Sequence, residues 1–161
     1  MVLGVGVLVW LALGPGVAAI PALYVAATAP ELSRIDLAEH RLPNRLVVPG
    51  LGVGLLAAGG SWVTTGVPPL VPFVAAVAYA GVLFLFALGG GMGMGDVKLA
   101  AVLGLASPTA MVAIASPLLA FLTGGVAAVA MLIVRGRGTR IPFGPFLLSG
   151  YVGALFLETL G

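Results

Sequence analysis

The pattern of apolar and polar positions divides this chain into long uncharged tracts separated by short charged ones. Residues 2–29 form 28 uncharged positions, residues 46–95 form 50 and residues 99–134 form 36. Between the first two lies residues 31–45, which holds Glu31, Arg34, Asp36, Glu39, His40, Arg41 and Arg45. A bilayer core is about 30 Å thick and takes roughly 20 apolar residues to cross as a helix. The first tract therefore predicts one tilted span, kinked at Pro15 and Pro21. The segment 31–45 predicts the main aqueous loop. It ends in Leu42-Pro43-Asn44, where Pro43 interrupts a continuous helix and Asn44 is placed to cap the next one.

The tract 46–95 carries Ser61, Thr64, Thr65, Gly66, Pro68 and Pro69 near its middle, which predicts two spans joined by a tight turn. The tract 99–134 is ambiguous by length alone, and its Ser107-Pro108-Thr109 and Ser116-Pro117 offer two places to break. Basic residues in short loops gather on the cytoplasmic side. With two spans in this tract, Arg34, Arg41, Arg45, Lys98, Arg135, Arg137 and Arg140 all fall on one face; with one span they divide between faces. Two spans are therefore expected, followed by a last helix over about 143–160. The fold class is all-α, a polytopic integral membrane protein of about six transmembrane helices, organised as a single membrane-embedded domain over 1–161. Both termini are expected outside, and Asp36 and Asp96 share the cytoplasmic face of the cell membrane.

Composition agrees with this picture. Hydrophobic residues make up 61% of the 161 positions and charged residues 7%, outside the range of soluble domains. The first tract has no basic residue before it and is too long for the core of a signal peptide, so it reads as a retained span. The 25 glycines have no collagen period and suit close packing of membrane helices. With no cysteine there is no disulfide framework, thiol nucleophile or Cys-based metal site. No basic cluster is interleaved with aromatics, which argues against nucleic acid as a partner.

Chemistry concentrates in Gly91-Met92-Gly93-Met94-Gly95-Asp96-Val97-Lys98. An acid beside so much apolar sequence is costly and is generally kept for function. Two carboxylates at one membrane face, Asp36 and Asp96, are the minimum for an aspartyl hydrolase: one ionised as base on a water, the other protonated as acid. Close like charges pull the two titrations apart. The plainer reading pairs Asp36 with Arg34 or Arg41 and Asp96 with Lys98. His40 reads as a solvated loop side chain, and Glu39 as a rival first carboxylate. Lys98 is expected to anchor its helix by snorkelling to the interface, and the late arginines to set topology and meet anionic lipid.

Taken together, Asp36 followed by six residues and then Pro43-Asn44, and Gly93-Met94-Gly95-Asp96-Val97-Lys98-Leu99 some fifty residues later, resemble the type IV prepilin peptidases, a family of GxGD membrane aspartyl proteases. Ile141-Pro142-Phe143-Gly144-Pro145-Phe146 is similar to the segment before that family's last helix. The resemblance implies an aspartic endopeptidase that removes the leader of type IV prepilins or pseudopilins at the cytoplasmic membrane face, in pilus assembly or protein secretion. It implies Asp36 and Asp96 as catalytic residues and Pro43, Asn44, Gly93, Gly95, Lys98, Pro142, Gly144 and Pro145 as supporting or substrate-groove positions. The implied partners are the pilin-like substrate and the lipid bilayer, and neither metal nor organic cofactor is implied. Larger relatives carry paired CxxC motifs associated with N-methylation; without cysteine, this sequence resembles a peptidase-only form. Presenilin-type proteases place a tyrosine before the first aspartate, where this chain has Ile35. The non-enzyme alternative is a small transporter or assembly scaffold using Asp36 and Asp96 as an ion or proton site.

Overall fold

Seven helices account for nearly all of residues 2–14, 16–135 and 142–160, which the computed structural model describes. They are α1 (Val2–Leu13), α2 (Ala19–Glu39), α3 (Asn44–Thr65), α4 (Leu70–Leu88), α5 (Met94–Leu105), α6 (Ala110–Arg135) and α7 (Gly144–Glu158). Among the described residues there is no strand. Three helices, α3, α4 and α6, are long and apolar enough to cross a bilayer, with hydropathies of 1.7, 2.3 and 2.3 over their most apolar stretches. Their outward side chains are apolar: Leu56, Val63, Val77, Ile133 and Val134 are all exposed. In water such a surface would be a liability; against lipid it is solvated. The protein is an all-α polytopic membrane protein.

The first uncharged tract differs from the single kinked span expected of it. Gly14 adopts φ +67°, the left-handed conformation that glycine takes at low cost, and its N–H closes α1 on the Trp10 carbonyl at 2.9 Å. After the turn, α2 doubles back, so that Val9 and Trp10 face Ala19, Ile20 and Leu23 across a shared crevice. Pro21 falls in the first turn of α2, where a missing N–H is harmless. Pro15, the other expected kink, lies outside the described residues.

Nor is the charged segment mainly a loop. Helix α2 continues through it to Glu39, assisted by Arg34 pairing with Glu31 at 2.7 Å one turn earlier. The division of the tract 99–134 is as expected, with α5 and α6 parting at Ser107-Pro108-Thr109. Arg137, Arg140 and Ile141 lie outside the described residues, and Arg135 is described only as the last residue of α6.

Helix α5 is the central element. Seven of its twelve residues are buried, Val97, Leu99, Ala100, Val102, Leu103, Gly104 and Leu105. It packs on α4 most extensively and on α3, α7 and α2 as well. Glycines permit these approaches: a Cβ on Gly104 would lie 2.3 Å from the Ala76 backbone, and one on Gly54 2.7 Å from Leu105. On the other side α6 packs on α7, where Gly150 meets the Ala120 N and Ser116 O of α6. Elements alternate in direction, so the C-terminal ends of α2, α4 and α6 and the N-terminal ends of α3, α5 and α7 gather at one end of the bundle.

Candidate active site

That end holds both aspartates. Asp36 is in the last turn of α2 and only 4% exposed. Its Oδ2 accepts the backbone N–H of Gly144, the first residue of α7, at 2.9 Å. The free N–H groups and partial positive charge of a helix N-terminus suit a carboxylate. Only glycine permits this approach, because a Cβ at 144 would lie 2.7 Å from the same oxygen. Pro145 follows in the first turn, where proline is tolerated.

Asp96 is the third residue of α5. Its Oδ2 accepts the Gly93 N–H at 3.3 Å, closing the turn that starts the helix. Its Oδ1 is buried and has no hydrogen-bond partner among the described residues. A buried ionised oxygen left in that condition is costly, whereas a protonated carboxyl is better tolerated.

Both carboxyls sit at the ends of helices and outside the three long apolar spans. Burial, and then the charge of Asp36, push the Asp96 pKa up to about 6 from the usual 3.8, against the opposing pull of the Gly93 N–H. Asp36 is also raised by burial, and here the Gly144 N–H and then His40 act in the other direction. Protein groups thus support the anion on Asp36 and leave one oxygen of Asp96 unsupported.

Two cavities meet at this pair. The larger, about 590 Å³, runs from Asp36 and Asp96 along the glycine loop, Gly90 to Gly93, to Phe121, Gly124 and Gly125 of α6 and to Pro142 and Phe143. The smaller, about 230 Å³, extends the other way, past Arg41, Leu42 and Gly95. Asp36, His40, Gly93 and Asp96 line both.

The ion pairs of the plainer sequence reading do not form. Among the described residues the one salt bridge is Glu31–Arg34, so Arg34 is occupied away from Asp36. Lys98 donates to the Asn44 Oδ1 at 3.0 Å rather than pairing with Asp96. Two positions apart on a helix, Asp96 and Lys98 point to different faces. Asn44 is therefore not the expected cap. Pro43 takes that place with extended backbone, its carbonyl accepting the N–H groups of Leu46 and Val47 at 3.0 and 3.2 Å, and Asn44 begins the helix. Gly95 allows the turn before α3 to sit against α5, since a Cβ there would be 3.0 Å from that of Leu42.

The supporting positions are thus brought to this end of the bundle in different ways. Gly93, Pro142 and Gly144 border the aspartates or the cavity; Gly95, Pro43, Asn44 and Lys98 hold the α2–α3 turn on α5; Pro145 starts α7 without lining either cavity. His40, read from the sequence as a solvated side chain, lines both cavities, and the α6 wall was not expected. The one available signal for the wall was Gly124-Gly125 in mid-helix, and a Cβ on Gly124 would come within 2.5 Å of the Phe143 ring. Among the described residues no cluster of three or more His, Cys, Asp or Glu is placed to hold a metal.

Residues 23–157 match the family described as "Type IV leader peptidase family". A protein of Pseudomonas putida named "Prepilin leader peptidase/N-methyltransferase" is 37% identical over 137 residues, covering 78% of this chain and 46% of its own. One of the same name from Aeromonas salmonicida is 32% identical over an alignment of 175 residues, covering 96% and 55%. The chain thus spans about half the length of these curated relatives. No solved structure matches it. With the family matched over most of its length, this chain belongs to the type IV leader peptidase family.

Proposed function

We propose that the chain is an aspartic endopeptidase that cleaves the leader from type IV prepilins or pseudopilins, working as one membrane-embedded domain. The observation that carries this reading is a cavity lined by two carboxylates from separate helices, neither of them paired to a cation among the described residues. The relatives' shared name supplies the substrate class. The proposal concerns the peptidase half of that name, because it rests on the aspartate pair.

Asp36, whose anion is supported by the Gly144 N–H, is the base: it takes a proton from a water as the water oxygen attacks the scissile carbonyl. Asp96, whose raised pKa favours retention of a proton, donates that proton to the carbonyl oxygen. As the resulting gem-diol collapses, Asp96 takes back a proton from one of its hydroxyls, the C–N bond breaks, and the proton held on Asp36 passes to the leaving amine. Gly93, without a side chain, leaves room for an extended peptide beside Asp96, whereas the space beside Gly95 is taken by Leu42.

The site lies at the cytoplasmic face in this reading, because Arg34, Arg41, Arg45 and Lys98 flank that end of the bundle. The C-terminus is then outside. The α1–α2 hairpin directs Val2 back toward that end of the bundle. The test is co-expression with a prepilin. Asp36→Asn and Asp96→Asn should each insert in the membrane and leave the precursor uncut; complete processing by either variant would reject the assignment.

A further inference from the structure

His40 is the one residue other than glycine with positive φ among those described, at φ 52° and ψ 40°. It ends α2, and its N–H donates to the Asp36 carbonyl at 2.9 Å. Glycine is the residue helices generally place there, since it adopts left-handed backbone without a Cβ penalty. A bulkier residue in this conformation at a cavity is a reason to ask what its side chain does.

Its position answers in part. Among the described residues the two cavities have four in common: Asp36, His40, Gly93 and Asp96. Gly93 has no side chain, so three side chains stand at the waist where the lobes join, and two of them are the aspartates. The His40 ring is exposed and makes no hydrogen bond to another described residue, which leaves its nitrogens available. A peptide whose scissile bond reaches the aspartates, with chain extending to either side, passes through this waist.

We propose that His40 is a substrate-contacting residue, held in a left-handed turn so that its imidazole N–H meets a peptide carbonyl of the extended substrate as it crosses between the two lobes. This role rests on the peptidase reading and adds to it a residue that binds the peptide main chain. The side chain is not needed to form the turn; glycine would form it at lower cost.

That separation gives a test in which a structural and a binding role move different quantities. His40→Gly and His40→Asn both accept left-handed backbone, and the Asn amide nitrogen retains a donor close to the position of the imidazole Nδ1. Each would be assayed as the full chain in detergent, with a purified type IV prepilin as substrate, for KM, kcat and melting temperature. We expect His40→Gly to melt no lower than the wild type and to raise KM about tenfold, the equivalent of one lost peptide hydrogen bond. His40→Asn should recover part of that loss. Unchanged KM with a higher melting temperature would reduce His40 to a helix terminator and overturn the proposal. A fall in melting temperature together with activity would overturn it too, because the side chain would then be holding the turn. A wild-type chain that leaves every prepilin uncut would instead remove the peptidase reading, a result distinct from either.

Discussion

Replacing Gly144 by alanine tests the arrangement where it is tightest. The new Cβ would lie 2.7 Å from the Asp36 Oδ2, where ordinary contact begins at 3.4 Å. The carboxylate must therefore retreat by about 0.7 Å, or α7 must shift, as in other overpacked interiors. A retreat of that size stretches the 2.9 Å bond from the Gly144 N–H beyond hydrogen-bonding range. Bonds to charged groups contribute roughly 1.5–3 kcal/mol, and 1.36 kcal/mol corresponds to one pKa unit. This N–H lowers the Asp36 pKa, so its loss should raise that pKa. If ionised Asp36 is the base, the acid limb of the kcat/KM profile moves to higher pH. Cleavage on that limb falls by the roughly 10- to 100-fold that 1.5–3 kcal/mol represents, and because Asp96 must keep a proton whose pKa is about 6, the active range narrows rather than recovering at alkaline pH. The assay is prepilin cleavage across pH 5–9, with Gly81→Ala as control, since a Cβ at Gly81 meets nothing within 4 Å. A Gly144→Ala enzyme whose acid limb coincides with that of the wild type would refute the support assigned to this N–H.

Two other outcomes follow from the same geometry. Because the Asp96 pKa is raised from 3.8 to about 6 in the folded protein, ionising it there costs stability: the folded state is favoured below pH 3.8 and loses that advantage as pH rises to about 6. Asp96→Asn, which cannot ionise, should melt above the wild type beyond pH 6 and close to it below pH 4; identical melting curves at pH 7 would contradict the burial of this carboxyl. The Lys98–Asn44 hydrogen bond joins residues 54 apart and fastens the α2–α3 turn to α5. Asn44→Ala and Lys98→Ala should each lower stability by about 1 kcal/mol and the double variant by little more than either alone, and additive losses in thermal melts would show that the two side chains act independently.

Much of the architecture was legible in the sequence because hydropathy and charge report on the bilayer directly. The division between α5 and α6 followed from keeping seven basic residues on one face, and the same count brought Asp36 and Asp96 to a common end. What escaped reading depends on backbone or on distant contacts. An uncharged tract reports burial in lipid but not the direction of the chain, so the turn at Gly14 was absorbed into a single span. Charges at Glu31 and Arg34 signalled water and were taken for a loop, although paired one turn apart they stabilise a helix. The donor to Asp36 is a backbone N–H, which has no residue identity, and Gly144 could be marked as important without revealing its contact. His40 was discounted because a histidine in a polar segment has no signature separating a solvated ring from one at the waist of a cleft.

The bond from Gly144 to Asp36 joins positions 108 residues apart, the second helix to the seventh. Synthesis proceeds from the N-terminus, so Asp36 and Asp96 enter the membrane while the donor, Pro142 and Phe143 have still to be made. Until α7 docks, the first aspartate has no partner for its anion and the larger cavity lacks part of its wall. A chain interrupted before that point would hold both acids and have no completed cleft. The order of the helices thus leaves the cleft, and with it the proposed activity, incomplete until α7 is in place.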